Sequence, residues 1–203
     1  MPTNYEKAIA GARAIFLAHD HSKIQYPVHY DGQNISLRFV DRIYRINCST
    51  SIVTCPDYPG YVPGHDEIMS IWDMLCFAET PPSLTHQWIQ TGSLSGITSG
   101  HDDSYLITQF RKAISEKPER LEAARAELGG AIDIGADFAM VIPVFDWFPC
   151  RFCFWEADDE FPAQAIFYWD RNARSYVHYE TLWFMNKYLS QRIWAAVDGK
   201  VWG

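Results

Sequence analysis

Two aromatic-rich apolar runs, separated by a short acidic segment, restrict the fold of this chain more than any other feature. Residues 148–170 read FPCRFCFWEADDEFPAQAIFYWD. Apolar runs of this length, bounded by proline and acidic residues, are typical of buried β-strands, because a sheet core accepts many large side chains in a row. The sequence therefore predicts two strands whose connection carries its charges at the rim of a sheet.

The acidic segment between the two runs is the first candidate site. Its carboxylates belong to Glu156, Asp158, Asp159 and Glu160. Such a group offers oxygen ligands to Ca²⁺ or Mg²⁺, or a general acid, but it also fits a solvated turn or a patch that docks a partner. The spacing of known calcium loops is missing, so the sequence predicts no firm set of metal ligands.

A histidine downstream of this segment extends the candidate site. His178 lies at the entry to the last predicted helix and could approach Asp158 or Glu160, and a histidine paired with a carboxylate is a general-base arrangement. These three residues are the catalytic candidates, although a surface or capping role for His178 is the alternative. The ligand-binding candidates, with the two tryptophans as stacking surfaces, are Trp155, Glu156, Asp158, Asp159, Glu160, Trp88 and Glu180.

Other potential metal ligands occur in weaker patterns. His19 and His21 could share a metal only in a strand or an irregular segment, and no third ligand is evident, so we interpret them as helix-exit residues. Cys150 and Cys153 fall within a predicted strand, whose alternation sends them to opposite faces, and we interpret them as packing cysteines.

The remaining patterns predict an α+β fold with an antiparallel sheet, made of an N-terminal meander and the C-terminal aromatic strands and packed by helices. Strands are expected over residues 24–47, with a tight turn at Asp31-Gly32, and over 138–145. Helices are expected over 4–18, from His65, from a cap at Asp102 or Asp103, from Pro118 and over 179–197. Residues 83–100 are expected to be a functional loop or partly strand. A length of 203 residues fits a single domain spanning 1–203.

Charge and hydropathy limit the classes of partner that we expect for this protein. The net charge of -8 argues against nucleic acid as a partner, since phosphate binding needs a basic surface. No apolar run reaches the length of a membrane span, and the first residues lack the features of a signal peptide. We therefore expect a cytoplasmic protein whose partner is a small molecule or another protein.

The segment FWEADDEFPA at 154–163, together with YWD at 168–170 and YET at 179–181, resembles an uncharacterised family, domain of unknown function 3786. That family occurs chiefly in anaerobic microbes, and some members are fused to iron–sulfur domains. The resemblance implies work near one-carbon, corrinoid or iron–sulfur metabolism, without an established reaction. The chain departs from the family at Asp41, where glycine is expected, and at Cys150 and Cys153, where apolar residues are expected.

The leading hypothesis is a ligand- or cofactor-binding accessory protein of anaerobic metabolism, with the cofactor itself left open. One alternative is a metal-assisted or carboxylate-based hydrolase or transferase that uses Asp158, Glu160 and His178. A second alternative is a protein–protein interaction module.

Overall fold

The computed structural model describes residues 4–78, 83–95 and 105–200 of the chain. Within these ranges the chain forms five α-helices and two antiparallel sheets, which confirms the predicted α+β class. The predicted cap at Asp102 or Asp103 lies outside the described residues. The helices are α1 (Asn4–Ala18), α2 (His65–Cys76), α3 (Tyr105–Ser115), α4 (Leu121–Glu127) and α5 (Tyr179–Val197).

The first sheet is the N-terminal meander, in which four strands pair in sequence order. Its strands are β1 (His29–Tyr30), β2 (Asn34–Phe39), β3 (Arg42–Asn47) and β4 (Val53–Thr54). The predicted turn is present, with Gly32 at a φ of +87° that few other residues adopt. The first strand is shorter than expected, because Pro27 has no amide proton to donate and the amide of Val28 bonds locally to the carbonyl of Tyr26 at 2.7 Å.

The second sheet contains the two aromatic strands at its centre. Its strands are β5 (Trp88–Gln90), β6 (Ala131–Ile132), β7 (Phe138–Phe145), β8 (Phe148–Trp155) and β9 (Gln164–Asp170), in the spatial order β5-β9-β8-β7-β6. Strands β8 and β9 are the two predicted runs. The short strand β5 shows that the segment from 83 onward is partly strand, since it pairs with the edge of β9.

A common core joins the two sheets to the helices. The backbone amide of Val40 donates to the carbonyl of Val144 at 2.7 Å, which links the end of the meander to β7. Beneath this link, Phe39 contacts the rings of Phe145 and Tyr188 at centroid distances of 5.0 and 5.1 Å. Helix α5 packs against α2, α3 and α4, and its buried face belongs to the same core. In the described part of the chain, no helix is both long and apolar enough to cross a bilayer.

Candidate functional site

The acidic segment forms an exposed, self-supporting turn between β8 and β9. Asp158 Oδ1 accepts hydrogen bonds from the amides of Glu160 and Phe161 at 2.8 and 2.7 Å, and the Asp158 amide donates to the carbonyl of Phe161 at 3.0 Å. Those two amide donors hold the pKa of Asp158 below its ordinary value. All four carboxylate residues from 156 to 160 are exposed. One oxygen of Asp158 therefore serves the turn itself.

His178 has a carboxylate partner, but that partner is Asp73 of α2. The Nδ1 atom of His178 lies 2.7 Å from Asp73 Oδ1, while the backbone amide of His178 donates to Oδ2 at 2.8 Å. The hydroxyl of Thr181 also donates to Oδ2, at 2.6 Å. Asp73 thus accepts from the amide of His178, the N-cap residue of α5, and from the Thr181 hydroxyl in the first turn of α5. A carboxylate of the first helical turn accepts from the N-cap amide in the same way in a capping box.

The same contacts set the chemistry of the imidazole. A nitrogen that faces a carboxylate carries the proton, so in the neutral ring of His178 the lone pair lies on Nε2. The side chain of His178 is 61% exposed, whereas that of Asp73 is 16% exposed. The ring of Phe77 contacts the imidazole edge to face, at a centroid distance of 4.5 Å and an interplanar angle of 73°. This pair, named here the Asp73–His178 dyad, presents a basic nitrogen beside an apolar ring.

The structure does not bring the acidic segment to this dyad. Residues 156–160 precede β9 and His178 follows it, and a seven-residue strand is about 20 Å long. The tryptophans are separated in the same way, since Trp155 pairs with Gln164 at the start of β9 and Trp88 pairs with Asp170 at its end. Glu180 is exposed in the first turn of α5, near the dyad in sequence. The predicted site therefore divides into two regions at opposite ends of one strand.

The cysteine pair is internal. Cys150 and Cys153 are both free and buried within β8, and burial is the main cause that raises the pKa of each thiol. Over the described residues, no group of three or more histidine, cysteine, aspartate or glutamate side chains is arranged to hold a metal ion. These observations agree with packing roles for the two cysteines.

Sequence reasoning missed the carboxylates of α2. Asp66 and Asp73 are seven residues apart, which places them on one face of a helix, and both side chains reach α5. Asp66 accepts from Lys187 Nζ at 2.9 Å, and Asp73 holds the start of α5. The seven-residue spacing of two aspartates within a mostly apolar helix could have indicated these positions. Their partners could not be predicted from local sequence, because they lie more than 100 residues away.

Comparison with known proteins gives one result. The family model described as a domain of unknown function (DUF3786) matches residues 22–192, which is most of the chain. The chain belongs to the DUF3786 family. This confirms the resemblance noted in the sequence. Searches of curated proteins and of solved structures found no match.

The DUF3786 match extends over both regions of the divided site. It includes the Asp73–His178 dyad, the acidic turn, Trp88 and Trp155, and it ends at Arg192 in α5. The match begins at residue 22, so helix α1, His19 and His21 lie before the DUF3786 region.

Proposed function

We propose that this DUF3786 protein is a cytoplasmic, ligand-binding accessory protein of anaerobic metabolism that holds a metal-containing cofactor through His178. The observation that carries the proposal is the Asp73–His178 dyad, in which Nδ1 is engaged by a carboxylate while the imidazole is largely exposed. In metal-ligating histidines, the N–H of the second ring nitrogen typically donates a hydrogen bond to a carboxylate or a carbonyl, because that bond orients the ring and makes the ligating nitrogen a stronger ligand.

A corrinoid is the cofactor class that we favour. Its cobalt would accept the imidazole nitrogen of His178 as a ligand, and its flat, largely apolar ring system would suit a neighbour such as Phe77, which is 38% exposed. An iron–sulfur centre would also accept imidazole, but it requires further thiolate ligands. Trp155 and the acidic turn lie at the other end of β9 and take no part in this proposal.

The test is a spectroscopic titration with aquocobinamide, a corrinoid that lacks a nucleotide base of its own. Coordination by an imidazole shifts its visible absorption bands, so the wild-type protein is expected to produce this shift at a stoichiometry of one. His178→Ala should abolish the shift. Asp73→Asn should weaken binding by about 10- to 100-fold, since loss of a carboxylate behind a ligating histidine has that effect in metal sites.

His29→Ala is the matched control, because His29 is an exposed histidine on β1 of the N-terminal meander. It should bind aquocobinamide as the wild-type protein does. The proposal is overturned if the wild-type protein produces no shift, or if His178→Ala produces the same shift as the wild type.

A general-base enzyme is the second candidate, and the same dyad favours it. An imidazole with its Nδ1 held by a carboxylate can accept a proton at Nε2 from water or from a substrate hydroxyl. Hydrolysis of chromogenic acyl and phosphoryl esters would test this function. Activity should be lost in His178→Ala and kept in Asp158→Asn and Glu160→Gln, because the two acidic residues lie at the far end of β9. Activity that survives in His178→Ala would exclude the dyad as the base.

A further inference from the structure

Two histidines directly after α1 form a site of their own. The helix ends at Ala18, where the amide of His19 still donates to the carbonyl of Phe16 at 3.2 Å. Asp20 then caps a short 3-10 turn at His21–Lys23, and its Oδ1 accepts from the amide and the hydroxyl of Ser22 at 3.3 and 2.7 Å. Within an α-helix, residues two apart point to different sides. The irregular turn removes that restriction.

The imidazoles of His19 and His21 contact each other edge to face as a result. Their ring centroids are 5.7 Å apart and their planes cross at 68°. The Nε2 atom of each ring is buried and has no hydrogen-bond partner. A buried nitrogen without a partner is costly, so such atoms in a native protein call for a ligand, an ion or a bound water. Here two of them occur on adjacent rings.

Aromatic side chains pack on the side of His21. Phe16 is fully buried and contacts His21 at a centroid distance of 4.5 Å and Trp72 at 6.0 Å. His21 is 9% exposed, while His19 is half-buried and leads to the surface. An apolar shell of this kind controls how solvent reaches a metal and keeps its ligands in place.

We propose that His19 and His21 together bind one divalent transition-metal ion of the class that prefers imidazole, Cu²⁺, Ni²⁺ or Zn²⁺, through their Nε2 atoms. With metal–nitrogen bonds of about 2.0–2.1 Å, two imidazoles that bind one ion at a tetrahedral or wider N–metal–N angle have ring centroids roughly 5 to 6 Å apart. The observed separation of 5.7 Å fits that arrangement. Water completes the coordination, since the described residues provide no third protein ligand beside the pair.

The site is independent of the proposed function. It lies before the region that matches the DUF3786 model, and it shares no residue with the Asp73–His178 dyad. A failure of either proposal therefore leaves the other standing.

The experiment is a Cu²⁺ titration of the protein freed of any affinity tag, followed by electron paramagnetic resonance. Cu²⁺ is the first probe because it forms the tightest complexes in the divalent series. The wild-type protein should bind one equivalent with a spectrum that shows two nitrogen ligands. His19→Ala and His21→Ala should each weaken binding of that equivalent by about tenfold or more, because one of only two protein ligands is lost.

His29→Ala serves as the matched control, because His29 is exposed on β1, and it should keep both the affinity and the two-nitrogen spectrum. His21→Gln provides a second variant in case His21→Ala fails to fold, since glutamine fills more of the space of the imidazole but offers no imidazole nitrogen. The proposal is wrong if the folded His19→Ala protein, or the folded His21→Gln protein, binds the first equivalent of Cu²⁺ with unchanged affinity and spectrum.

Discussion

Arg192 of α5 and Asp41 of the β2–β3 turn form a two-point ion pair across the core. The guanidinium nitrogens of Arg192 lie 2.5 and 2.7 Å from the two carboxylate oxygens of Asp41, and the arginine side chain is only 1% exposed. Glu127 and the hydroxyl of Tyr188 also accept hydrogen bonds from Arg192, at 3.2 and 3.0 Å. Asp41 is the position where the family resemblance led us to expect glycine, and the arginine accounts for a carboxylate there.

Asp41→Asn should destabilise the protein by about 3 kcal/mol, because removing one partner of a buried ion pair leaves a buried charge poorly compensated. Chemical denaturation at pH 7 measures this loss. Asp146→Asn is the control, since Asp146 pairs with Arg38 at the surface with 48% of its side chain exposed, and it should cost less than about 1 kcal/mol. Equal losses in the two variants would contradict the assignment.

The dyad has a structural half and an exposed half, and stability measurements should separate them. Asp73→Ala removes the acceptor for the His178 amide and the Thr181 hydroxyl, so it should cost about 1–2 kcal/mol, as loss of a helix cap does. His178→Ala keeps Asp73 and those two bonds, and as a mostly exposed side chain it should cost less than about 0.5 kcal/mol. Urea denaturation of both variants is the measurement. A larger loss for His178→Ala would show that the imidazole, rather than the cap, holds the helix.

The elements that the sequence predicts well are those with strong local periodicity. Helix α5 has the predicted bounds of 179–197, and β7, β8 and β9 correspond to predicted apolar runs. The short first strand departs from its alternating pattern because of Pro27 and the local bond of Val28. Backbone chemistry at one residue therefore decided a boundary that side-chain periodicity placed elsewhere.

The candidate site was predictable only in part, and the reason is distance along the chain. His178 was identified as a histidine that seeks a carboxylate, but its partner Asp73 lies 105 positions away. The acidic turn was predicted to lie near His178, since only one strand separates the two in the sequence. That strand is β9, and its full length places the acidic turn at the opposite end from His178. Local sequence patterns identify His178 as a candidate, but the packing of α2 against α5 determines that Asp73 is its partner.

A buried chain of hydrogen bonds connects α5 to the second sheet, and Asn186 is its central residue. Its Oδ1 accepts from Trp169 Nε1 at 3.0 Å, and its Nδ2 donates to Thr91 Oγ1 at 3.0 Å. All three residues are buried. Asn186→Leu should therefore cost about 3 kcal/mol, because it leaves a buried indole N–H without its acceptor and a buried hydroxyl without one of its partners.

Thermal or urea unfolding measures this effect. Ser190→Ala is the control on the same helix face, one turn later, where the hydroxyl only donates to the Asn186 carbonyl at 2.8 Å. Its loss should cost about 1 kcal/mol or less, since such bonds to the preceding turn add little to a helix. An Asn186→Leu protein as stable as Ser190→Ala would show that the hydrogen-bond chain contributes no net stability.

Asp170 should make the protein sensitive to acid. Burial alone would raise its pKa, but the amides of Asn172, Thr85 and His86 and the hydroxyl of Thr85 donate to the carboxylate at 2.7 to 3.1 Å, and together they hold the pKa below its ordinary value of 3.8. A carboxylate with a lowered pKa in the folded state binds protons less readily there than in the unfolded chain. Its stabilisation is therefore complete above about pH 4 and is lost as the pH falls through the folded-state pKa.

Asp170→Asn should accordingly be less stable than the wild type at pH 7, by about 2 kcal/mol, and the two stabilities should converge below pH 4. Denaturation curves recorded from pH 7 to pH 2 give the comparison. Asp159→Asn is the control, because Asp159 is exposed in the acidic turn, and its curve should run parallel to that of the wild type. The same difference in unfolding free energy at every pH would contradict this prediction. It would mean that the hydrogen bonds stabilise the protonated and the ionised carboxyl equally, so that the pKa of Asp170 is not lowered.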